Sequence, residues 1–206
     1  MTVQPPSATG SGHVEPRAPE SLFSGHMVTH FRPRSTQQRS HTAPVNLDRR
    51  KLSFRSSRFQ GTASGVVVPP FDSAGDPATG GAVLMVYGGG GNRVTLTLPA
   101  ANWARSGSAT KPSYKYADKR RTSGPITSVS VKDGTLQVKN KGGALYTLAN
   151  APQTAVTIRV QLGSGTMLCA SAPAKEPVSS NDTTEKFNGA KQTPPPTDCP
   201  HVPGNG

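Results

Sequence analysis

From Leu52 onward the apolar residues of this chain recur at every second position in short bursts, and Gly, Pro or Asn interrupts each burst before it lengthens. A period of two places successive side chains on opposite sides of an extended backbone, so each burst carries one apolar and one polar face. A helix would need a period of about 3.6 residues, and no stretch of useful length has it. The chain is therefore restricted to short strands that bury one face against a second sheet.

Leu52 and Phe54 alternate with Ser53 and Arg55, and Val66-Val67-Val68 is an apolar run stopped by Pro69-Pro70. Phe71 through Gly81 is loop by composition. Ala82 to Tyr87 reads as a buried strand, joined by Gly88 to Gly91 and Asn92 to a second strand carrying Val94, Leu96 and Leu98. Trp103 and the Tyr114/Tyr116 alternation predict further short strands around the basic loop Lys119-Arg120-Arg121. Ile126 to Lys132 and Thr135 to Lys139 flank Asp133-Gly134, a type I′ hairpin turn whose two central residues both need positive φ. Ala144 to Leu148 follows a Gly-Gly break. Val156, Ile158, Val160 and Leu162 give the cleanest alternation, and Gly163-Ser164-Gly165 turns it into Met167 to Ala170.

About eight or nine short strands at this spacing predict an all-β fold, an antiparallel β-sandwich spanning residues 51–200. The 22 Gly and 20 Pro among 206 residues agree, because turns use both and helix interiors tolerate neither. Residues 1–50 have no periodicity and too few apolar side chains to offset the entropy of ordering, so they are expected to be a disordered, basic, Pro/Ser/Arg-rich arm. Residues 201–206 are expected to be a disordered tail. No apolar run is long enough to cross a bilayer as a helix, so membrane insertion is not expected.

The catalytic inventory is sparse. No histidine lies between Leu52 and Pro200, which removes Ser-His and Cys-His nucleophile pairs from that stretch. Asp72, Asp76, Asp118, Asp133, Asp182, Glu185 and Asp198 all fall in predicted loops or tails rather than facing one another on strands, as a glycosidase pair would. Asp72 and Asp76 do not have the spacing of an EF-hand loop, and a turn in which an Asp carboxylate caps backbone amides is the preferred reading. His13, His26, His30 and His41 are irregularly spaced, with no framework to hold a metal. Gly88 to Gly91 lack the Gly-Lys-Ser/Thr of a phosphate-binding loop and lead into a strand. Neither an enzyme nor a resident cofactor is expected.

Two features point outward. A formal net charge of +12, from 23 Lys+Arg against 11 Asp+Glu, attracts polyanions. Cys169 and Cys199 have neither metal-site nor CxxC spacing, and in an exported protein they would form a disulfide. Two free thiols in a reducing compartment are the alternative. The first 25 residues lack the apolar segment of a secretory signal, which conflicts with export unless the true start lies elsewhere or the chain is a piece of a longer exported protein, the two readings preferred over a non-exported one.

In order, Gly75-Asp76-Pro77, Gly80 to Tyr87, Val94 to Trp103, Gly124-Pro125-Ile126, the Lys132 to Lys139 hairpin, Leu162 to Gly165 with Cys169, and Phe187 with Thr193-Pro194-Pro195 and Cys199-Pro200 resemble a β module found in large exported proteins of environmental bacteria. The resemblance covers roughly Lys51 to Pro200. It implies a C-terminal or tandem extracellular module, a Cys169–Cys199 bridge and no assigned activity. The expected function is thus a non-catalytic extracellular or cell-surface module, structural or adhesive. One alternative is a viral coat-like protein whose arm (Arg17, Arg32, Arg34, Arg39, Arg49, Arg50) neutralises genome phosphates, the one reading that brings in nucleic acid. Another is a polysaccharide-binding module using Trp103, Tyr114 and Tyr116 beside Lys119, Arg120 and Arg121.

Overall fold

The computed structural model describes residues 44–55, 58–165, 167–191 and 199–203. The expectations made for the N-terminal arm, from its disorder to the roles of its arginines and four histidines, fall on residues that lie almost wholly outside the described ones, apart from residues 44–50.

Among the described residues, twelve strands form two sheets. In sequence they are β1 Val45–Asn46, β2 Asp48–Arg55, β3 Arg58–Ser64, β4 Ala82–Gly88, β5 Arg93–Leu98, β6 Trp103–Ser108, β7 Lys111–Ala117, β8 Ile126–Lys132, β9 Thr135–Lys141, β10 Ala155–Leu162, β11 Met167–Pro173 and β12 Lys186–Gly189. The five-stranded sheet has the order β1-β11-β10-β4-β5, and the seven-stranded sheet β12-β2-β3-β9-β8-β7-β6. All pairings are antiparallel except β1 with β11. Among the described residues, helix is confined to the four-residue α1 (Pro77–Gly80) and α2 (Val178–Asn181) and one 3₁₀ turn at Ala100–Asn102. The fold is the all-β sandwich that the alternation predicts.

One core joins the two sheets. Leu84, Val86, Ile158 and Val160 from the smaller sheet share it with Leu52, Phe54, Val129, Val131 and Val138 from the larger. Phe54 stacks on Phe59 across the β2–β3 pair with ring centroids 4.4 Å apart, and Phe187 meets Phe54 edge-on. The β8–β9 hairpin turns through Asp133 (φ 48°) and Gly134 (φ 69°), both positive as a type I′ turn requires.

Three expectations need correction. The sandwich begins before Lys51: β1 pairs alongside β11, β2 starts at Asp48, and Leu47 is fully buried. Val66 to Val68 is not a strand; Val66 plugs the core while Val67 is 82% exposed, because Pro69-Pro70 directly after them cannot join a ladder. Ala144 to Leu148 is a loop as well. Its Leu145, Tyr146 and Leu148 are buried where it folds over Gly88 to Gly90. Side chains on those glycines would run into Gln153, Tyr146 and Asn150, so the run exists for close backbone approach.

The 71–81 loop docks on the β10–β11 turn. Ser164 N–H donates to Ala74 O at 2.8 Å and Gly163 N–H to Gly81 O at 2.7 Å. Gly163 sits at φ 54°, and a Cβ there would run into the Ala74 carbonyl.

The two outward sheet faces differ. On the five-stranded sheet, outward-pointing Tyr87, Thr157, Cys169 and Ser171 are all buried. The chain at residues 199–203 crosses them as a strap. Cys199 is bonded to Cys169 of β11, Arg159 of β10 donates to Cys199 Sγ (3.1 Å) and Pro200 O (2.7 Å), Tyr87 of β4 donates to Pro200 O, and Arg93 of β5 donates to Pro203 O (3.4 Å). His201 to Pro203, assigned from sequence to a free tail, thus continue that strap. On the seven-stranded sheet nearly all the described outward positions are exposed or half-buried.

Replacing Gly163 by Ala should destabilise the fold by about 2 kcal/mol, from a strained φ plus a backbone clash. Gly91, also at positive φ (82°) but with open space around it, should lose about 1 kcal/mol or less on the same change. Urea unfolding of both variants checks this; equal losses would remove the Ala74 contact as the cause.

Candidate ligand-binding face

The exposed face of the seven-stranded sheet follows from register. On β9, Leu136, Val138 and Asn140 point inward, which sends Gln137, Lys139 and Lys141 outward. On β8, Val129 and Val131 are inward and Ser128 and Ser130 outward; on β7, Tyr114 and Tyr116 are inward and Lys115 and Ala117 outward. Pairing sets Ser128 opposite both Ala117 and Lys139, and Ser130 opposite both Lys115 and Gln137. These positions line a shallow concavity of about 740 Å³ that Lys119 and Arg121 border from the β7–β8 connection.

Asp118 builds that connection. Its carboxylate accepts from Thr122 N–H (3.0 Å) and Ser123 N–H (2.8 Å), and its carbonyl accepts from Arg121 N–H (3.1 Å). The Ser123 amide above all, joined by those of Thr122 and Arg121 and the Thr122 hydroxyl, outweighs the cost of desolvation and holds the Asp118 carboxyl below its ordinary value of 3.8. Arg121, at φ 57°, carries its guanidinium to the end of β9, where Gly142 and Gly143 leave room for it.

Five cations therefore converge: Lys115, Lys119, Arg121, Lys139 and Lys141. Among the described residues the ion pairs are Arg105 with Asp72 and Asp76, and Lys132 with Asp133, so none of the five is neutralised by a carboxylate. Ser128, Ser130, Thr127 and Gln137 supply hydroxyls and an amide between them. Such a surface can hold a polyanion by charge and hydrogen bonds. Among the described residues, the lining of the concavity holds no carboxylate, histidine or thiol.

The candidate residues read from sequence divide sharply. Lys119 and Arg121 line the concavity, and Arg120 is exposed beside them. Trp103, Tyr114 and Tyr116 are a correction: they are 7%, 1% and 0% exposed, so no ring face is free to stack on a sugar. Their inward strand positions place them in the core, where Trp103 tilts against Tyr116 and donates from Nε1 to Leu98 O (3.3 Å), while Tyr114 donates to Pro69 and Pro70 carbonyls. Lys115, Lys139 and Lys141 escaped the sequence reading, although their every-second-residue spacing on polar strand faces is visible in it.

Asp76 forms the amide-capped turn preferred above. Its carboxylate accepts from Asp72 N–H and Ala78 N–H, each at 2.8 Å, and pairs with Arg105 at 2.6 Å. Burial alone would raise its carboxyl; those amides and the guanidinium reverse that and hold it below 3.8. Cys169 and Cys199 form the disulfide, with Cα atoms 6.0 Å apart.

No protein-family model matches the chain, and no curated protein or solved structure does either.

Asp118 and Asp76 have depressed folded-state pKa values, so the stability they add is present above the ordinary carboxylate value and lost as pH falls through the lower folded one. Asp118→Asn should flatten the acid limb of the stability curve below about pH 4. At neutral pH it should also weaken anion binding, by loosening the loop that carries Lys119 and Arg121, although no cation is removed. Thermal melts from pH 2 to 7, with binding at pH 7, check both outcomes.

Proposed function

We propose that this domain is a non-catalytic, exported module that adheres to an anionic polysaccharide through the basic face of its seven-stranded sheet. The observation that carries the reading is the concavity in which Lys115, Lys119, Arg121, Lys139 and Lys141 converge without an ion-pair partner among the described residues. Clustering like charge on one face is unfavourable for the free protein and favourable only when a polyanion neutralises it.

Export is supported by the Cys169–Cys199 bridge, since disulfides persist in oxidising compartments. Closing a loop of 30 residues adds roughly 3–4 kcal/mol on the chain-entropy model, suited to a domain working outside the cell or at its surface. The resemblance to modules of exported bacterial proteins points the same way. A polysaccharide is favoured over nucleic acid because the face has hydroxyl and amide side chains between its cations and, among the described residues, no aromatic ring on which a base could stack.

The full chain should be retained on immobilised dextran sulfate at low ionic strength, pass through uncharged dextran, and elute as salt rises. The Lys115→Gln/Lys139→Gln double variant, folded by circular dichroism, should elute at clearly lower salt. Elution of both proteins at the same salt would overturn the assignment of the face. Hydrolysis of a glycoside or small ester by the pure chain would overturn its non-catalytic character.

A further inference from the structure

Beyond the concavity, the same outward face carries a row of cations that pairing sets directly across from one another. Lys186 of β12 is opposite Arg55 of β2, Arg55 is opposite Arg58 of β3, and Arg58 is opposite Lys141 of β9. Directly paired residues on antiparallel strands share a face, so four consecutive strands each contribute one positive charge to a single line. Arg55, Arg58 and Lys141 are exposed and Lys186 half-buried. Like charges set opposite one another destabilise a sheet. Glu185, beside Arg55 and Lys186 at the edge of the sheet, forms no ion pair with either among the described residues. The row ends at Lys141, where the five-cation concavity begins, so the two form one continuous track.

The spacing of this row is fixed by the backbone. Adjacent strands lie about 4.8 Å apart, which puts the end cations of the row about 14 Å from each other. A polymer that lies across the strands meets one cation per strand step. Polyuronates have one carboxylate on every sugar, and a pyranose residue advances the chain by about one strand step. A polysaccharide with a carboxylate only on alternate sugars offers the row half that charge density.

Resting on the adhesive reading above, we infer that the preferred ligand is a homopolymeric uronate, lying perpendicular to strands β12, β2, β3 and β9 with one carboxylate at each of Lys186, Arg55, Arg58 and Lys141. Arg55 and Arg58 supply forked donors suited to carboxylate oxygens, while Gln60, directly opposite Lys139 on the next outward row, is placed to meet sugar hydroxyls.

Titration calorimetry of the full chain with oligogalacturonates tests this. Affinity should rise with length through the four sugars that span the row, the tetramer binding roughly ten-fold or more tighter than the dimer, as expected for two further charge-assisted contacts. Arg58→Gln and, separately, Lys141→Gln should erase most of that gap, whereas Lys132→Gln, at the far end of the β8–β9 hairpin and paired with Asp133, should preserve it. Hyaluronan, with its carboxylate on alternate sugars, should bind more weakly than polygalacturonate at equal chain length. Three results would overturn the inference: a dimer as tight as the tetramer, hyaluronan equal to polygalacturonate, or a single-stranded oligonucleotide outcompeting both. If the chain still binds dextran sulfate through Lys115 and Lys139 in any of those cases, only the spacing argument fails. If that retention is lost too, the adhesive reading falls with it.

Discussion

Two sheets that each bury one face against the other necessarily turn two faces outward, and this chain handles those two in opposite ways. The five-stranded sheet is closed over. Residues 199–203 cross it, anchored by a disulfide to β11 and by Arg159, Tyr87 and Arg93 on the next three strands. Each of those anchors sits on a different strand, so the strap ties the sheet together across its hydrogen-bonding direction. The seven-stranded sheet is left open, and its outward positions are given mostly to Lys, Arg, Ser, Thr and Gln. The inward alternation that makes the core thus also decides which side chains face outward.

The open face is held in shape by groups that are not themselves part of it. Asp118 closes the loop that presents Lys119 and Arg121, and Gly142 and Gly143 leave room for the Arg121 guanidinium. Around the same sandwich, Asp76 organises the 71–81 loop, with Arg105 lying over the Phe71 ring and paired to Asp72 and Asp76. The acidic residues with depressed pKa values are engaged in holding loops. The five cations of the concavity have no carboxylate partner among the described residues, and what sets them apart is that they converge on one surface.

Much of the fold was legible from residues. Val156 to Leu162, Ala82 to Leu98 and the Asp133-Gly134 hairpin announce themselves through period two and turn chemistry, and all are where they were expected. What hid were β1, β12 and above all β3: its inward residues Phe59, Gly61 and Ala63 include two small ones, so the alternation carries little hydrophobic contrast. Gly61 is small because Ile158 from the opposite sheet and the neighbouring Phe59 ring fill the space a Cβ would need. Such a constraint belongs to the partner sheet and cannot be seen along the strand. Val66 to Val68 and Ala144 to Leu148 failed for the converse reason, since apolar runs can plug a core from loops. The site was half legible. Aromatic residues near basic ones suggested a sugar platform, but strand parity turns Trp103, Tyr114 and Tyr116 inward. The same parity turns Lys115, Lys139 and Lys141 outward, and applying it consistently to the polar faces would have found them.

The central claim is that anionic polysaccharide is held on the outward face of the seven-stranded sheet. Its most direct test is to follow backbone amide chemical shifts of the isotope-labelled full chain as a short dextran sulfate fragment is added. The account predicts saturable shifts concentrated at Arg58, Lys115, Ser128, Lys139 and Lys141 and in the 118–123 loop, with Tyr87, Arg159 and Cys199 unmoved. Shifts confined to residues 1–43, or centred on the strap across the five-stranded sheet, would contradict it.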